Sequence, residues 1–154
     1  MKIVLMSDSH GRDDYIDKIL EMHEDADVFF HCGDIEHDEF VYPQLTIVRG
    51  NNDYYGDYPN SIKFKLGSYK VLMLHSHQVG YRDRFKYLSR LAKEQGCDTV
   101  FFGHTHVAMD QIVDGVRLIN PGSLYYSRDG RPASFCVITV DDEMNVEHYF
   151  APFK

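Results

Sequence analysis

Apolar positions in this chain come in short runs, and each early run stops on a burst of polar residues. The first, Ile3 to Met6, is closed by Ser7-Asp8-Ser9-His10-Gly11. A continuous apolar run of that length reads as a strand buried on both faces, one that delivers a polar loop at its end. Val28-Phe29-Phe30 repeats the arrangement before His31-Cys32-Gly33-Asp34, and Leu45 to Val48 repeats it before Arg49-Gly50-Asn51-Asn52-Asp53. Val71 to Leu74 ends in His75-Ser76-His77, and Val100 to Phe102 ends in Gly103-His104-Thr105-His106.

Two stretches switch to helical spacing. Ile16, Ile19, Leu20 and His23 recur behind Asp13 and Asp14, either of which is expected to cap a helix. Phe85, Leu88, Leu91 and Ala92 form the second, stopped by Gly96. The last third changes character. Gln111 to Asn120 holds Asp114-Gly115 between apolar-rich arms, a strong hairpin signal. Ser134 to Val140 and Asn145 to Phe150 alternate around a turn at Asp141 to Glu143.

Parallel strands early and antiparallel strands late predict an α/β (α+β) architecture of two packed mixed β-sheets with helices outside. No internal repeat, low-complexity tract or linker interrupts residues 1–154, so one domain is expected. Tyr54 to Ser61, with Gly56, Pro59 and three tyrosines, is the expected exposed loop beside any site.

Composition narrows the picture. A chain of 154 residues, 44% hydrophobic and 26% charged, buries roughly 70% of its unfolded surface and needs no disulfide to hold a core. Twenty-four acidic against sixteen basic residues give a formal charge of -8, which argues against a broad electrostatic grip on nucleic acid. Carboxylates gathered around cations would account for part of that excess. Cys32, Cys97 and Cys136 show no CxxC spacing, so they read as small buried hydrophobes in a reducing compartment. The opening apolar run is too short for a signal-peptide core and no run reaches membrane-spanning length, so a cytoplasmic protein without a membrane partner is expected.

The residues that end the runs are nearly all capable ligands: Asp8, His10, Asp34, Asn51, Asp53, His75, His77, His104 and His106. Carboxyl ends of strands in open α/β sheets face one crevice, so residues far apart in sequence can converge there. Seven nitrogen or oxygen ligands exceed what one four-coordinate zinc takes. A pair of ions about 3.5 to 4 Å apart, bridged by one carboxylate, accommodates them.

In their order, Asp8-Ser9-His10, Gly33-Asp34, Gly50-Asn51-Asn52-Asp53, His75-Ser76-His77 and Gly103-His104-Thr105-His106 resemble the calcineurin-like metallophosphoesterases. Asn120-Pro121-Gly122-Ser123 and Arg128-Asp129-Gly130 are similar to their small prokaryotic phosphodiesterase branch. The likeness covers roughly residues 1 to 140. It implies a four-layer sandwich, with Asp8, His10 and His106 on one metal, Asn51, His75 and His104 on the other, and Asp34 bridging. It also implies phosphodiester hydrolysis by a metal-bridging hydroxide. Asp34, Asn52, Asp53 and His77 are then the catalytic candidates, Asp53 orienting the ligands from behind Asn51 and His77 near phosphate or in an exposed loop. Manganese is the first choice of metal, with Ni, Fe, Zn and Co as alternatives, and the resemblance suggests a dimer or tetramer acting on a small phosphodiester.

Two positions depart from the family pattern. Asn52 stands where many members carry a histidine thought to contact phosphate or protonate the leaving group, and an amide cannot act as a general acid near neutral pH. Ser76 stands where glycine is usual. Other readings of the same centre are a phosphomonoesterase or a nuclease, and a scaffold role also exists on this fold in the retromer trafficking coat. Glu36-His37-Asp38-Glu39 reads as a solvated helix start, and His23, His31, His37 and His148 as structural or solvated.

Overall fold

A computed structural model describes residues 1–80 and 82–154. Twelve elements follow in chain order: β1 (Lys2–Met6), α1 (Asp13–Met22), β2 (Val28–His31), β3 (Leu45–Ile47), β4 (Ser61–Leu66), β5 (Tyr69–Leu74), α2 (Arg84–Glu94), β6 (Thr99–Phe101), β7 (Met109–Val113), β8 (Val116–Asn120), β9 (Ser134–Val140) and β10 (Met144–Phe150). They form two five-stranded sheets, ordered β10-β9-β1-β2-β3 and β4-β5-β6-β8-β7. Strands β1, β2 and β3 run parallel in the first sheet, and β5, β6 and β8 run parallel in the second. Antiparallel strands flank both sets.

The layers follow from side-chain alternation. On β1, Ile3 and Leu5 join Phe30, Val71, Met73, Phe101 and Ile119 in a core between the sheets. The intervening Val4 and Met6 face the other way, onto Ile16 and Ile19 of α1. Strand β5 does the same in mirror fashion, with Leu72 and Leu74 packed against Leu88 and Ala92 of α2. Two opposed apolar faces on one strand explain its uninterrupted apolar sequence. The result is helix, sheet, sheet, helix, the four-layer sandwich the sequence implied.

Several expectations need correction. Neither Asp13 nor Asp14 caps α1: both lie in its first turn, where their charge suits the helix N-terminus, and Arg12 occupies the cap without a side-chain bond. Residues 36–39 form no helix: the chain turns left-handed at Glu36 (φ 64°), whose N–H is held by Asp53. The expected loop ends at Ser61, which begins β4, and β4 with β5 adds an antiparallel hairpin mid-chain. The Asp114-Gly115 turn is as expected, both residues having positive φ (50° and 82°) as a tight hairpin requires.

Candidate metal centre

Five strands, β1, β2, β3, β5 and β6, send the chain out of their carboxyl ends on one edge of the sandwich. The loops that follow are bound to one another. Asp8 N donates to Gly33 O (2.9 Å), His10 N to Asp34 O (3.1 Å), and Gly103 N to His75 O (3.2 Å). The two sheets meet where His104 N donates to Asp8 Oδ2 at 3.0 Å.

Asp8, His10, Asp34, Ser76, His104 and His106 all hold left-handed φ values, between 44° and 83°. Such backbone is costly for residues with a Cβ and persists where the surroundings enforce it. Here it turns consecutive side chains toward a single point.

The histidines show what that point demands. Nδ1 of His75 lies 2.8 Å from Cys32 O and Nδ1 of His106 lies 2.8 Å from Tyr126 O. A carbonyl only accepts, so each Nδ1 carries the proton and each Nε2 presents a lone pair. Nδ1 of His10 lies 3.2 Å from a Glu36 carboxylate oxygen, which fixes that ring the same way. All three lone pairs converge on carboxylates. His106 Nε2 is 3.2 Å from Asp8 Oδ1, and His10 Nε2 is 3.7 Å from it. His75 Nε2 is 3.3 Å from Asp34 Oδ2 and 3.0 Å from Asn51 Oδ1, while His10 Nε2 is 3.6 Å from Asp34 Oδ2. His104 adds its Nδ1 at 3.3 Å from His75 Nε2.

Acceptors facing acceptors in a buried place require a cation between them. Asp8 Oδ1 and His10 Nε2 are both buried without a hydrogen-bond partner, which is the signature expected of atoms reserved for a metal. Two groups bring their ligand atoms within 4.8 Å of one another: Asp8, His10 and His106, and Asp8, Asp34 and His75. The donor set fits a divalent cation of the manganese-to-zinc series.

Charge states follow. Burial alone would raise the Asp8 carboxyl, but His75, His10 and His106 together hold it well below the usual carboxylate range. Burial likewise opposes ionisation of Asp34, and His75 and the Asn52 amide overcome it. Burial would depress His75, yet Asp8 and Asp34 raise it to about 8, so the two carboxylates favour positive charge beside Nε2. His104 moves oppositely, to about 4, through burial and then the neighbouring positive charge of His75 and Arg84.

The remaining candidates divide. Asn52 donates twice to Asp34, from its backbone N (2.8 Å) and from Nδ2 (3.1 Å). Asp53 accepts from the backbone of Asp34, Gly50 and Glu36 at 2.7 to 2.8 Å, so it ties two loops together rather than turning the Asn51 side chain. His77 lies at the margin, its ring tilted against that of His75 at 5.5 Å and that of His104 at 6.4 Å.

Two contributors, Glu36 and Arg84, escaped the sequence reading, and His31 and residues 123–128 gain a definite place from the structure. Glu36 orients His10 from within a charge run read as solvated. His31 is fully buried, accepting from Gly33 N at Nδ1 and lying 3.0 Å from Ser9 Oγ at Nε2; burial takes it down to about 4. Arg84 donates to the carbonyl of Ser76 (2.5 Å) and to its Oγ (2.9 Å), so the residue that replaces glycine at φ 83° is held by a partner a glycine would engage only through its backbone. Residues 123–128 cross the rim of the centre, and only their family likeness signalled it.

A layered sandwich that gathers imidazoles and carboxylates at its strand ends defines a metallohydrolase. The calcineurin-like phosphoesterase superfamily domain matches residues 1–143, and the chain belongs to that superfamily as a metallophosphoesterase. It is 32% identical over 154 residues to the probable metallophosphoesterase YsnB of Bacillus subtilis, covering 97% of this chain and 90% of that one. The crystal structure of a predicted phosphoesterase from Streptococcus pneumoniae superposes with a TM-score of 0.86 at 28% identity, over 97% and 88% of the two chains. An archaeal phosphodiesterase aligns at 0.73 and 25% identity, over 97% of this chain and all of its own. Zinc-bound Vps29 from Entamoeba histolytica shares the fold at 0.72 and 20% identity, over 97% and 99%. Among the described residues no helix is long and apolar enough to cross a membrane.

Proposed function

We propose that this chain hydrolyses small phosphodiesters at a two-cation centre. Asp8, His10 and His106 would hold one ion and Asn51, His75 and His104 the other, with the Asp34 carboxylate placed between the two sets of ligands. The observation that carries this reading is the set of Nε2 lone pairs turned onto two carboxylates while each outer nitrogen is locked as a donor. When bound, such a pair of cations would supply Lewis acidity toward the phosphoryl oxygens and would make a bound water more acidic.

The chain's own groups do the rest. Asp53 fixes the Asp34 and Gly50 backbones, so the bridging carboxylate keeps its place as charge develops on substrate. Asn52 can donate an N–H to a phosphoryl oxygen but has no proton to give a leaving group. Diesters with acidic leaving groups therefore turn over fastest. Manganese is the preferred ion, with Ni, Fe, Zn and Co as competitors. Nucleic acid is disfavoured by the charge of -8. A cytoplasmic homodimer or tetramer of one domain completes the proposal, and the name of the archaeal relative supports the diester.

An assembly role is the second reading, favoured by the fold shared with Vps29 and by the exposed Tyr54, Tyr55 and Phe40. Hydrolysis of a chromogenic diester separates the two. Turnover that chelation abolishes and manganese restores is expected; metal binding without any turnover would favour the scaffold.

A further inference from the structure

Resting on the phosphoesterase reading, we propose that Arg128 grips the charged oxygens of the substrate phosphoryl group, supplying a positive charge that Asn52 does not carry. Asn52 is engaged: both its backbone N and its Nδ2 donate to Asp34, and its amide carries no net charge to offer a phosphoryl group. A cation must come from elsewhere on the rim.

The segment Ser123–Arg128 runs along that rim and is bonded to it through Ser123, Leu124, Tyr125, Tyr126 and Arg128. Ser123 Oγ donates to Asp8 O (2.8 Å), and Tyr125 N donates to the same carbonyl (3.2 Å). The Tyr125 ring lies edge-on to His10 with centroids 5.5 Å apart. Tyr126 O accepts from His106, Arg128 N donates to His106 O (3.2 Å), and Arg128 Nη1 donates to His104 O (3.3 Å). The guanidinium is thus tethered to the loop that carries two of the proposed ligands.

Its remaining donors are uncommitted. A guanidinium offers five N–H groups in a fixed fork suited to phosphate oxygens, and one of them meets the His104 carbonyl. Among the described residues no carboxylate lies within ion-pair distance of Arg128, although the chain carries a net charge of -8. The neighbouring Asp129 is taken by Arg131, at 2.6 Å. An exposed arginine beside a site for an anion, held by a carbonyl and not neutralised by an acid, is placed to bind that anion.

The test uses manganese-loaded protein and two probes, inorganic phosphate by calorimetry and bis(p-nitrophenyl) phosphate by absorbance. Arg128→Gln is expected to weaken phosphate binding about tenfold or more and to lower kcat/KM similarly, the size of a lost charge-assisted hydrogen bond. Manganese content and melting temperature stay at the wild-type values, and Arg128→Lys recovers part of the loss. Arg90→Gln, which removes an exposed cation on α2 and leaves the Asp129–Arg131 pair intact, stays within twofold. Phosphate affinity within twofold in Arg128→Gln overturns the proposal, as does a loss that tracks lost manganese, since the residue would then only clamp the loop. Wild-type protein that binds manganese but neither phosphate nor diester sinks the phosphoesterase reading as well.

Discussion

Asparagine at position 34 is expected to lower metal-dependent diester turnover by about a thousandfold, the upper range for losing one preorganised electrostatic group. The substitution is nearly isosteric, so the loss is chemical. In the native chain Asp34 Oδ1 accepts the Asn52 N–H at 2.8 Å, while Oδ2 faces the Nε2 lone pairs of His75 and His10 at 3.3 and 3.6 Å. An amide has one oxygen for the two Asn52 donors, and keeping it on the backbone N–H turns its NH2 toward the Asn52 Nδ2 and the two imidazoles. That NH2 donates to lone pairs that a cation would otherwise take. Steady-state kinetics with calorimetric manganese titration would show a fall in turnover together with the loss of one tight site; full activity at saturating manganese would refute the bridging role.

Gly103→Ala is expected to cost the centre its metal and the protein about 1 to 3 kcal/mol, the usual range for forcing volume into a filled core. A Cβ at 103 would lie 2.7 Å from Asp8 Oδ2 and collide with the Ser7 hydroxyl. Neither can retreat, because Ser7 and Asp8 are both fully buried. Asp8 Oδ2 is also held by its bonds from Ser7 Oγ and His104 N. Displacing Asp8 separates the carboxylate of the first sheet from the histidines of the second. Thermal unfolding should show a midpoint lower by about 3 to 10 °C, and metal analysis should show an empty centre. An alanine variant that retains wild-type manganese content would mean that the two sheets need no such close approach.

These effects explain why so much of the centre could be read from the sequence. Asp8, Asp34, Asn51, His75, His104 and His106 each close an apolar run, and a strand buried on both faces leaves few places for a polar ligand other than its end. The same double burial made the four-layer arrangement legible, since Ile3 and Leu5 serve one core and Val4 and Met6 another. What could not be read is set by long-range partners. Strand β4, with its alternation of SIKFKL, places Lys63 and Lys65 on successive outward positions, and those charges masked a strand whose pairing with β5 supplies its order.

Glu36 shows the limit more sharply. In sequence it belongs to a charged run of the kind that usually faces water. In the fold its backbone turns left-handed, Asp53 accepts its N–H at 2.8 Å, and its carboxylate reaches His10. Neither of those two contacts is local. The Arg84–Ser76 pair is similar, since a serine with φ of 83° makes sense only once the arginine eight residues on is seen to hold it.

Anomalous diffraction at the manganese edge, from crystals of the manganese-loaded protein, tests the central claim most directly. Two peaks per chain are expected, about 3.5 to 4 Å apart, one among Asp8, His10 and His106, the other among Asn51, His75 and His104, with Asp34 between them. A single peak, or peaks remote from Asp34, would contradict the account.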